Sequence, residues 1–117
     1  MDDNSGKDRL PQEIIAICAM NTVLHTEGVA EMAPLPALSK EIEGTKGVKI
    51  AENRKGLAID VYLNVRFGAK IPDTAWKIQE NVKQRLEDLT SAKISQVNID
   101  IMGVSGTPAA KGNVQER

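Results

Sequence analysis

The side chains that could do chemistry are few in this sequence, and they do not converge. The chain holds one cysteine, Cys18, and one histidine, His25, both within "PQEIIAICAMNTVLHTEG". A hydrolytic triad would have to recruit His25, and a nucleophilic thiol would need a basic neighbour to favour its thiolate. Helical spacing puts His25 near a helix end, on the face that also carries Ile14, Ile17, Cys18 and Asn21, so a structural histidine and an inert thiol are expected. A lone cysteine and a lone histidine cannot assemble a Cys/His zinc site, and a lone cysteine excludes an internal disulfide. The adjacent acids Glu87 and Asp88 point about 100° apart on a helix, which makes a solvated face and not a proton-sharing pair. Neither G-x-G-x-x-G nor G-x-x-x-x-G-K-[ST] occurs. An anion held at a helix start near Lys70 would meet Asp73 in the same turn. These residues name no cofactor and no metal, and they predict a protein that is not an enzyme.

Nucleic acid fares little better. "GTKG", Gly44 to Gly47, matches the G-x-x-G loop of KH modules, but that loop joins two helices and this one enters a strand. With 15 basic and 16 acidic side chains the formal net charge is −1, so no overall field draws a phosphate backbone.

Surface chemistry suits contact with protein. Trp76 falls about 100° from the apolar stripe of its helix, beside Glu80 and Lys83, and should be at least partly exposed. Its indole either folds over the stripe edge or onto the Lys83 stem, or it anchors a protein contact, a role in which Trp is enriched. Asp60, Tyr62, Asn64, Arg66, Asn98 and Asp100 form a wet sheet face that mixes both charges with one aromatic. Trp76, Tyr62, Asn64 and Arg66 are the candidate interaction residues. Sheet edges also invite pairing between copies, so a homo-oligomer is expected.

These residues are positioned by a simple series of elements. Pro11 starts a helix of broad apolar surface that Gly28 stops. "VAEMAPLPALSKEIEGTKG" reads as a long connection with one helical turn over Leu35–Ile42. "GVKIAENRKGLAIDVYLNVRFG" is a hairpin: Val48 and Ile50 face inward, "ENRKG" turns, and Leu57, Ile59, Val61, Leu63, Val65 and Phe67 make a period-two row. A second helix follows, with Pro72 in its first turn and Ile71, Ala75, Ile78, Val82, Leu86 and Leu89 on one stripe. Asp73 and Lys77 are placed for an i,i+4 pair. "KISQVNIDIMG" is the last strand, with Val97, Ile99 and Ile101 inward. The fold class is therefore α+β, a three-stranded, mainly antiparallel sheet with two helices packed on one face, in the order α-β-β-α-β. The 117 residues fit one domain, residues 10–103, between flexible tails at 1–9 and 104–117. Aromatic content is 3%, so Ile, Val, Leu and Met must build the core. The acidic, polar N-terminus is no secretory signal and no apolar run approaches a membrane span, which places the chain in the cytoplasm without direct membrane insertion.

With its elements placed, the sequence resembles the alkaline shock protein family of small cytoplasmic proteins of Gram-positive bacteria, which act in envelope stress response. The likeness covers residues 10–104 and is strongest in "AIDVYLNVRFGAKIPDTAWKIQENVKQRLEDLTSAKISQVNIDIMGV"; "EGVAEM" matches as well. The resemblance implies no established catalysis, a tendency to self-associate, and in some members attachment to the membrane through a separate anchoring protein. It also implies an alternative, regulation of an acyl or fatty-acid metabolism enzyme, beside which genes of other members lie. A KH-like nucleic-acid-binding module is the last alternative. Trp76, where the family usually has a polar or charged residue, and Asn21, where a small or apolar one is common, depart from its pattern.

Overall fold

A computed structural model describes residues 10–106. The elements run α1 (Gln12–Leu24), β1 (Val29–Met32), β2 (Val48–Asn53), β3 (Gly56–Arg66), α2 (Ile71–Leu89) and β4 (Ile94–Ser105). The α+β class holds, but the sheet has four strands where the sequence suggested three, and the order is α-β-β-β-α-β. The additional strand is "VAEM", which is four residues long and sits at the head of a segment that two prolines make look like pure connection. Four residues are too few for alternation to announce a strand.

β3 is the central strand. β4 pairs parallel to it over Leu57–Arg66 on one edge. The other edge is shared: β2 pairs antiparallel with Gly56–Val61, and β1 pairs antiparallel with Leu63–Val65. β1 and β2 thus lie end to end in one column. They meet at Tyr62, whose N–H donates to the Gly47 carbonyl at 2.8 Å and whose carbonyl accepts from the Ala33 N–H at 2.9 Å. The sheet is less antiparallel than expected, because its longest pairing is the parallel one. Adjacent parallel strands need a crossover, and α2 supplies it.

Both helices cover the face built by Leu57, Ile59, Val61, Leu63 and Val65, all buried. In α2 the stripe is as its period suggests, with Ile78, Val82 and Leu86 at 0% exposure, each contributing about 1.5–3 kcal/mol of burial. Ile71, at the stripe's outer end, is exposed instead, and Thr74 is buried. In α1 the buried face is Ile15, Ala16, Ala19 and Val23, while Ile14, Asn21 and His25 are exposed. "EIIAICAM" is apolar around its whole circumference, so period alone does not select a face. The small Ala16 and Ala19 let the helix approach the sheet closely and decide the matter. Phe67 lies past the end of β3 and is exposed. No helical turn forms over 35–42, where one isolated turn is closed by Ser39 N–H to Pro36 O; a second, Thr45 N–H to Ile42 O, follows it. Lys77 pairs with Glu27 at 3.3 Å and not with Asp73. β4 runs to Ser105, two residues past its expected end. The stretches 1–9 and 107–117 of the expected tails lie outside the described residues.

The excursion from Ala33 to Gly47 is closed by one side chain. Glu41 Oε2 accepts the Leu35 N–H and Oε1 accepts the Gly47 N–H, each at 2.9 Å. Gly47 has φ +79, and an added Cβ would stand 2.5 Å from the Ala33 carbonyl oxygen and 2.6 Å from that of Tyr62. Gly68 also has positive φ, at +90, but an added Cβ meets nothing within 4 Å. The two positions therefore separate backbone strain from steric exclusion. Gly68→Ala should cost about 1 kcal/mol for the strained backbone alone, and Gly47→Ala about 3 kcal/mol or more, read as midpoints of urea unfolding. Equal costs would refute the close approach at Gly47.

Candidate interaction surface

The face of the sheet away from the helices carries the expected row. Ala58, Asp60, Tyr62 and Asn64 are half-buried and Arg66 is exposed. The strand register puts Asn98 beside Asp60 and Asp100 beside Tyr62 on the neighbouring β4. Asn98 Nδ2 donates to Asp60 Oδ1 at 2.6 Å. Tyr62 has Asp100 beside it on β4 and Asp60 two residues away on its own strand. Partial burial, then the charges of Asp100 and Asp60, push its hydroxyl above the ordinary tyrosine value, so it stays a neutral donor.

At the other end of this face a carboxylate joins three strands. Glu31 of β1 accepts from Asn64 of β3 at 2.8 Å and from Ser105 of β4 at 2.6 Å, both through Oε2. The Ser105 and Asn64 bonds, with Lys46 adding a smaller attraction, hold its pKa below the ordinary 4.5 against a small opposing effect of burial. Sequence reading missed Glu31 because it assigned "VAEM" to no strand and therefore to no face.

Trp76 is 62% exposed on α2. It lines a shallow depression along β4 together with Tyr62, Asp60, Gln79, Asn98 and Asp100. Trp76 on the helix side and Tyr62 on the open face flank the same stretch of β4; Asn64 and Arg66 lie further along β3, towards Glu31. Gln79, also unforeseen, donates from Nε2 to the Val97 carbonyl at 3.2 Å.

No catalytic set is assembled among the described residues. Cys18 and His25 line one groove between the helices with Asn81, Gln84, Arg85 and Asp88, but they stand about 10 Å apart along the helix axis. His25 Nδ1 is engaged with the Asn21 carbonyl at 2.7 Å. No group of three or more His, Cys, Asp or Glu that could hold a metal occurs among the described residues. "GTKG" does not join two helices either. It enters β2, and Gly47 is buried with its N–H already bound by Glu41, so the loop cannot offer that amide to a phosphate.

The Glu31 junction has a pH signature. A depressed folded-state pKa gives stability that is fully present above the unfolded value and is lost as pH falls through the folded one. Glu31→Gln should therefore lower Tm at pH 7, and the gap to the native chain should close as the pH falls below the ordinary carboxylate value and Glu31 becomes protonated. A gap that stays constant across that range would remove the ionised Glu31 from the account.

A family model described by a cell envelope-related function matches residues 1–106. The chain is 36% identical over 108 residues to the uncharacterised protein YqhY of Bacillus subtilis, covering 88% of this chain and 80% of that one. It is 26% identical over 109 residues to YloU of the same organism, covering 87% and 91%. A Streptococcus pyogenes protein is 26% identical over 106 residues, covering 85% and 88%. No solved structure matches. The chain belongs to the alkaline shock protein family, whose function is cell envelope-related.

Proposed function

We propose that the chain is a non-enzymatic interaction protein that serves the cell envelope from the cytoplasm, by self-association and by binding a protein partner. The observation that carries this reading is that Tyr62 from β3 and Trp76 from α2 flank the same stretch of β4 from the two sides of its edge, among Asp60, Asn98 and Asp100. Aromatic side chains among mixed polar groups have the composition of protein contact patches. Asn64 and Arg66 extend the patch along β3. No helix among the described residues is long and apolar enough to cross a membrane. The reading assigns attachment to the envelope to an anchoring protein that binds this surface.

Purification of the tagged chain from its native host tests the reading. A membrane protein should be recovered with it. Trp76→Ala and Tyr62→Ala, with Tm unchanged, should each cut that recovery at least about tenfold, the scale of a hot-spot residue. Undiminished recovery with both changes would sink the assignment of this face. Recovery of a soluble acyl-metabolism enzyme in place of a membrane protein would favour the regulatory alternative.

A further inference from the structure

We infer that β4 is a seam at which two copies of the chain pair antiparallel, about a twofold axis at Ile99; the inference rests on the self-association proposed above and assigns it an interface. β4 is 12 residues long and, among the described strands, pairs only with β3. Its outer edge carries unpaired backbone groups. Exposed edges are usually blunted by shortness, lysine, proline or interruption. The opposite side of the sheet has such devices: β1 has 4 residues, β2 has 6 and carries Lys49, and the column is broken between them. β4 has none over "QVNIDI", Gln96–Ile101, the regular stretch between its two register shifts, where Asp100 is the single charge.

The orientation of the edge follows from one hydrogen bond. The Val97 carbonyl points away from β3, since it accepts from Gln79 on α2. Backbone groups alternate sides along a strand, so Ile99 and Ile101 present their N–H and C=O on the same free edge.

A second copy fits this edge in one register better than in others. Paired about Ile99, the two strands set Ile99 against Ile99 of the second copy, and Val97 against Ile101 of the second copy twice, all on the helix side. On the open face Asn98 falls opposite Asp100 of the second copy, twice, an amide against a carboxylate. Centring on Asp100 would set two carboxylates directly opposite, which destabilises. Centring on Asn98 would leave Ile101 without an apolar partner. Ile99 and Ile101 are only half-buried in the single chain, so the added strand covers apolar surface that is now wet. Gln79, exposed, swings off the Val97 carbonyl and a backbone N–H of the second copy replaces it. Because the axis is perpendicular to the sheet, both open faces stay on one side, and the two Tyr62 side chains belong to one continuous surface.

The register is tested by cross-linking in a Cys18→Ser background. Asn98 and Asp100 of the second copy form a non-hydrogen-bonded pair, with Cα atoms about 4.5 Å apart, within disulfide reach. Asn98→Cys and Asp100→Cys chains, mixed and mildly oxidised, should give at least about ten times more disulfide dimer than either alone, since like positions lie on the longer diagonal. In the native chain, light scattering should show a dimer, and the Ile99 and Ile101 amides should exchange more slowly as concentration rises. Asn98→Asp should weaken the dimer about fivefold by setting acid against acid twice. A native chain that stays monomeric at all concentrations would overturn this seam together with the self-association reading. Oligomers that form while both amides stay fast and the mixture shows no excess cross-link would overturn the seam alone.

Discussion

The structure depends on how the edge of β3 opposite β4 is filled. One long strand carries two short ones end to end on that edge, and the handover takes place at the backbone of Tyr62, which bonds Gly47 on one side and Ala33 on the other. The chain must therefore leave the sheet and return to the same point. Closing a loop of this length costs entropy that rises only slowly with length. Glu41 offsets it by binding the N–H groups at both of the loop's ends, and Leu35 adds burial. Gly47 is the corollary: two carbonyl oxygens converge where its side chain would be. With both edges of β3 occupied, β4 is left as the one long free edge among the described strands.

The second constraint is directional. β3 and β4 are parallel neighbours, so α2 has to run back along the sheet between them, and its Ile78, Val82 and Leu86 cover the rows that β3 and β4 turn inward. The same geometry sets Trp76 and Gln79 above the β4 edge, because they lie on the flank of α2 that faces away from α1. Gly56 shows how tightly the crossover is returned: the Leu57 N–H donates to the Lys93 carbonyl at 2.8 Å, and a side chain at Gly56 would collide with that carbonyl.

What was legible in the sequence tracks how one-sided each element is. β3 alternates strictly and α2 is polar on all but one stripe, so each fixes its own orientation, and the exposure of Trp76 follows from angle alone. α1 is apolar all round, so its buried face was decided by the size of Ala16 and Ala19 in contact with the sheet, which no period encodes. β1 is too short to alternate, and its loss concealed Glu31. The Lys77 pairing with Glu27 in place of Asp73 is a tertiary choice between two exposed acids, one of them distant in sequence. The parallel direction of β4 was implicit in a strand, helix, strand series, since such crossovers join parallel neighbours, but it was outweighed by the visible hairpin before it.

The placement of the aromatic residues bears most directly on function. The chain has one Tyr, one Phe and one Trp. Such side chains bring the largest apolar area of any residue and usually dominate a core. Here the core is aliphatic throughout. Tyr62 is half-buried on the open face, Phe67 is 48% exposed with its N–H bonded to Ser105 at the end of β4, and Trp76 is 62% exposed above the middle of β4. All three therefore lie along one strand, on both sides of its edge. A fold that stabilises itself without aromatic burial has placed its aromatic area where another chain can cover it. The free edge supplies backbone hydrogen bonds at the same place, so apolar area and directional bonding coincide along β4.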